Sequence, residues 1–184
     1  MPGKKTISFT LDTKSIENAI RELKQYRNDF LDKMERLRDL VAQRIQEDAE
    51  NGFKNALVSD VIFGEETSND VEVLLDIGAE NETLVIVRGE QALFIEFGAG
   101  VVHNANMLGS SLHPWVLDGT FPLYWIGGFG QRKGRRRAWG FYRDGVADRD
   151  HLTVTRGTPA AMPLYKAVQA VVQEMDKLVQ EVFG

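Results

Sequence analysis

The chain contains no cysteine. That absence excludes disulfides, zinc-thiolate sites and thiol nucleophiles, so packing alone must hold the fold together. Long apolar runs are missing too, and no stretch approaches the roughly 18 consecutive apolar residues that a bilayer span requires. The opening segment MPGKKTISFTLDTKS lacks the apolar core of a secretory signal, so synthesis and assembly in a cytoplasm is the expectation. An excess of positive charge is also lacking: 22 Lys and Arg against 27 Asp and Glu leave a formal charge of −5. Such a balance argues against a surface that grips DNA everywhere through counterion release, and leaves room for a local basic patch. Finally, neither proline nor glycine occurs between Lys4 and Asn51, and helices are commonly interrupted by these two residues.

What is present reads as an ordinary folded body. Hydrophobic residues make up 43% and charged residues 27% of 184 positions, which suits a single α+β domain over 1–184 rather than a disordered or fibrous chain. Residues 1–11 hold the alternation Ile7, Phe9, Leu11 against Thr6, Ser8, Thr10, which predicts a first strand. Residues 12–52 carry Ile16, Ile20, Leu23, Phe30, Met34, Leu37, Val41 and Ile45 at alternating four and three spacing, with only Arg27 out of pattern. One long helix follows, capped by Asp12 or Thr13 and ended at Gly52. At 1.5 Å per residue it is about 55 to 60 Å long, more than a compact body of this size needs. Its inner turns are expected to face the rest of the chain, and its outer turns to project or meet a neighbour.

Residues 71–97 are expected to form antiparallel strands: VEVLLDI and TLVIVR around a short loop, then ALFIEF as a further strand, with a short helix as its alternative. Residues 98–151 gather most of the glycines, all three tryptophans and all three histidines in one irregular stretch. Loops of that length usually mark an interaction or active-site surface. Residues 152–184 supply a last strand at Leu152–Thr155. A final helix follows from about Pro159 to Val182, with Thr158 as its capping hydroxyl and a stripe of Tyr165, Val168, Val172, Met175, Val179 and Val182.

Chemistry is sparsely indicated. His103, His113 and His151 match no metal-ligand spacing, and Ser110, Ser111 and Asp118 stand in no nucleophile-elbow pattern. The glycines of FGAG and GGFGQRKG satisfy neither the P-loop nor the dinucleotide spacing, and read as turn formers. Glu96 reads as a semi-buried, hydrogen-bonded structural carboxylate. The concentrated feature is basic: Arg132, Lys133, Arg135, Arg136 and Arg137, flanked by Trp125, Phe129 and Trp139. Arginine beside aromatics suits phosphate contact and base stacking, but charge runs in loops more commonly pair with protein, here the acidic surface of a neighbouring subunit. No catalytic residue, metal ligand or cofactor-binding residue is assigned.

From Ala92 onward the motifs taken together resemble a known family. ALFIEFGAGVVHN, including Glu96, Phe97, Gly98 and Gly100, is followed in order by His113 and Pro114 and by the Tyr124–Trp125 pair. WGFYRDG and RGTPAAMPLYKA come next, the latter with Arg156, Gly157, Thr158, Pro159, Pro163 and Tyr165. This string is similar to the tail-completion or head-tail joining proteins of long-tailed double-stranded-DNA bacteriophages. The resemblance implies a structural virion protein of the neck or tail, without enzyme activity or cofactor. It would work as one subunit of a sixfold or twelvefold ring, contacting other neck and tail proteins, with DNA in transit nearby and no membrane. The motif residues themselves are carried over as architectural rather than as a chemical site. The RKGRRR insert departs from plainer members, which leaves its partner open between protein and DNA.

Overall fold

The computed structural model describes residues 6–78, 82–100, 102–103, 113–117, 137–142 and 147–184. Helix α1 runs over Thr13–Lys54. Asp12 is its cap, in extended backbone, with the carboxylate accepting the Ser15 N–H at 2.9 Å, which satisfies one of the first-turn donors. At the far end Asn55 closes the helix, its amide nitrogen donating to the Asn51 carbonyl at 2.8 Å. Strand β1 (Val61–Phe63) follows, then the hairpin of β2 (Glu72–Ile77) and β3 (Thr83–Arg88), paired from Glu72 with Arg88 to Ile77 with Thr83. Next come helix α2 (Ala92–Phe97), the short helix α3 (Pro114–Leu117) and strand β4 (Trp139–Tyr142). A 3-10 turn at Arg149–His151, strand β5 (Leu152–Thr155) and helix α4 (Pro163–Phe183) complete the described chain. In the second, antiparallel sheet β5 lies between β1 and β4. The architecture is α+β, as expected.

The core lies where α1 meets everything else. Ala49 and Phe53 of α1 pack with Val58, Val73 of β2, Ile95 of α2 and Ala167 of α4. Helix α4 is antiparallel to α1: Pro163 sits beside Gly52, and Phe183 meets Phe30 with ring centroids 5.7 Å apart. The glycine makes that first crossing possible, because a Cβ at residue 52 would lie 2.7 Å from Pro163 Cβ. Beyond Phe30, the turns Thr13–Asp29 extend past the end of α4 by about 25 Å, and of these residues only Ala19 is buried.

Five expectations are corrected. The first strand over 1–11 does not form in its described part, Thr6 to Leu11; Phe9 and Leu11 are exposed and no neighbouring strand pairs with the segment. Gly52 does not end α1, which continues to Lys54 because the glycine serves the close approach of α4. ALFIEF is helix α2 rather than a strand, burying Ala92, Ile95, Glu96 and Phe97. The 98–151 stretch contains β4, added to the edge of β5, along with α3. The last helix begins at Pro163 rather than Pro159. It buries Pro163, Ala167, Val171, Leu178 and Val182, a stripe rotated from the expected one, with Val172 turned to solvent.

Candidate functional site: a buried carboxylate joining three helices

Helix α4 starts without a cap of its own. Met162, at its N-cap position, has left-handed backbone (φ 55°, ψ 46°) and its side chain accepts nothing. The first-turn N–H groups are instead received by Glu96, from the last turn of α2. Its Oε2 accepts from the Leu164 N–H at 2.9 Å and its Oε1 from the Tyr165 N–H at 3.0 Å. An anion there also meets the positive end of the helix dipole. The Glu96 side chain is 5% exposed and that of its other partner, His113, is 1% exposed, with Nε2 of the ring 2.8 Å from Oε1.

Hydrogen-bond roles assign the histidine tautomer. The Trp115 N–H donates to Nδ1 at 3.2 Å, so Nδ1 carries no proton and Nε2–H donates to the carboxylate. His113 is therefore neutral, Glu96 is the anion, and His113 caps α3 as Glu96 caps α4. Rings enclose the pair: Phe97 lies 4.5 Å from His113 between centroids, Trp115 and Tyr165 each 5.3 Å from it, and Trp115 meets Tyr165 edge-on at 5.6 Å. A buried charge is tolerable only when its acceptor sites are filled. Three N–H donors fill this one. The assembly ties three helices together, with every polar atom named committed to another protein group.

Other described residues of the same motifs lie in the segments leading into and out of this centre. Gly98, at φ 79°, ends α2; a Cβ there would approach the His103 carbonyl to 2.7 Å. Ala99 and Thr158 exchange both backbone hydrogen bonds, at 2.8 and 3.0 Å, joining the α2 exit to the approach of α4. The Thr158 hydroxyl donates to the Val58 carbonyl at 2.7 Å rather than capping a helix, which corrects its expected role. Gly100 and Gly157 also have positive φ, Pro114 and Pro163 open α3 and α4, and Pro159 is half-buried between β5 and α4. Nearby, the Asp60 carboxylate takes His103 Nε2 at 3.0 Å and the Arg156 guanidinium at 3.5 Å. The hydrogen bond from His103, aided by the charge of Arg156, holds the Asp60 carboxyl below its ordinary range. Sequence reasoning did not single out Asp60, His103 or Trp115 in these roles; no spacing connects them to their partners.

The basic block is represented here by Arg137, which is exposed, and by the backbone of Trp139, paired with Thr155 across β4 and β5. Arg132, Lys133, Arg135, Arg136, Trp125 and Phe129 lie outside the described residues. On another side of the molecule an open groove of about 530 Å³ runs between α1 and the end of α4, lined by Asp32, Glu35, Asp39 and Glu181 together with Arg36. Among the described residues no three His, Asp or Glu side chains converge as a metal site, and no helix is long and apolar enough to cross a membrane. Comparison with family models, curated proteins and solved structures finds no match to this chain.

Proposed function

We propose that this chain is a structural protein of a bacteriophage neck or tail, completing the tail or joining head to tail as a ring subunit of the virion. The carrying observation is that three separate motifs, contributing Glu96 and Phe97, His113, and Tyr165, meet around one buried carboxylate. That convergence explains why such motifs belong together without any reaction: they fix the angle between α2, α3 and α4. Ring closure needs two different complementary patches on each subunit. The acidic groove between α1 and α4 and the basic block 132–137 have the opposite charges such a head-to-tail contact uses. Activity then consists of surface burial rather than turnover.

Charge reversal of Arg135, Arg136 and Arg137 to Glu tests the reading. Native mass measurement in the presence of neck partners is expected to lose the ring, while Asp32 and Glu35 reversed to Lys in the same chain restore it. A protein that remains monomeric and enters no virion refutes the assignment. Salt-dependent duplex binding, abolished by the arginine reversals while the ring persists, would instead give the basic block to DNA.

A further inference from the structure

We infer that the overhanging turns of α1 pair with the same turns of a second copy, antiparallel, so that the free protein is a two-fold dimer. This goes beyond the ring reading and does not depend on it. The overhang bears Ile16, Ile20 and Leu23 at 36%, 47% and 55% exposure, leading to Phe30 at 44% where α4 ends. These residues keep heptad spacing, with Ile20 and Arg27 at a and Ile16, Leu23 and Phe30 at d. Helix α4 covers the same helix antiparallel as far as Phe30, and the seam continues uncovered where α4 stops.

Charge selects both occupant and direction. A parallel pair in register would set Arg27 against Arg27 of the second copy in the middle of the seam, with like charges facing. Antiparallel pairing packs a against d. Ile20 then meets Leu23 of the second copy, and Arg27 faces Ile16 instead of a second arginine, its aliphatic stem covering apolar surface. The same alignment faces the two e positions across the seam, which places Glu17 opposite Lys24 of the second copy, twice by symmetry. Thr13 falls opposite Phe30, so the pairing spans the overhang from Thr13 to α4's end, about 25 Å. The interface is isologous and closes at two copies.

Sedimentation of the full chain without partners tests this. A two-copy mass is expected, and Leu23→Glu should give one copy while circular dichroism shows the helices retained. Glu17→Lys should raise the dissociation constant about tenfold or more, and adding Lys24→Glu to it should restore pairing, a rescue that only the antiparallel register provides. A monomeric wild type, a mass unmoved by Leu23→Glu, or failure of the double charge swap to rescue would overturn the inference. Each of these outcomes is independent of whether neck partners recruit the protein.

Discussion

Replacing Glu96 with alanine removes three charge-assisted hydrogen bonds at once: those from Leu164, Tyr165 and His113. Each is worth about 1.5–3 kcal/mol when the acceptor is ionised. The carboxylate's own burial cost disappears with it, and the three donors are left partly open to water that enters the space. Loss of a helix cap alone costs about 1 kcal/mol. Balancing these, Glu96→Ala should destabilise the fold by about 4 kcal/mol, a large share of the roughly 5–15 kcal/mol that folded proteins possess. For a chain of this length that corresponds to a melting temperature lower by about 8–16 °C. Glu96→Gln keeps the shape but turns an amide donor toward one of the N–H groups, and should lose about 2 kcal/mol. Urea denaturation followed by circular dichroism measures both. In a double-mutant cycle with His113→Ala the two sites should couple by about 1–3 kcal/mol, because they share one hydrogen bond and one cavity. A loss under about 1 kcal/mol for Glu96→Ala, or strict additivity with His113→Ala, would show that the carboxylate does not hold α3 and α4.

Two further predictions rest on other contacts. Gly52→Ala should destabilise by about 1–3 kcal/mol despite the roughly 1 kcal/mol that alanine normally adds to a helix interior, since its Cβ would press on Pro163; a raised melting temperature would disprove the close approach. Asp60 is an acid whose folded pKa is depressed, so its contribution is present above the ordinary carboxylate value and is lost as pH falls through the folded one. Wild type and Asp60→Asn should therefore differ in stability near neutral pH and converge in acid, below about pH 4; a difference that grows on acidification would contradict the pairing with His103 and Arg156.

The elements legible from the residues are those whose pattern is local and repeated. Forty-odd residues of four-three spacing without proline or glycine made α1 plain, and the β-branched runs of β2 and β3 around a polar loop made the hairpin plain. ALFIEF misled because six consecutive mostly apolar residues fit a buried strand and a buried helical turn and a half equally. Its environment decides: Ile95, Glu96 and Phe97 are all buried, as successive residues at a crowded helix end can be. KTISFTL had strand alternation, but a strand exists only with a partner, and the described part of this segment has none. Thr158 and Pro159 looked like a helix start because hydroxyl followed by proline usually is one. Here the hydroxyl is spent on Val58, and the cap comes from a glutamate that no short-range pattern could nominate. At the candidate site, Glu96 was legible as a structural carboxylate, whereas its union with His113 and Tyr165 depends on tertiary proximity.

The antiparallel laying of α4 on α1 also sets an order of events during synthesis. Helix α1 is made before α4, and the strip of it between Phe30 and Gly52 on which α4 lies is covered only when α4 arrives. Helix α4 in turn takes its cap from a residue 68 positions earlier, already waiting at the end of α2. The nascent chain thus carries that strip of the helix uncovered until α4 emerges. Association with sister copies before α4 emerges would compete with it for the same strip, so chains truncated before Pro163 should aggregate rather than fold.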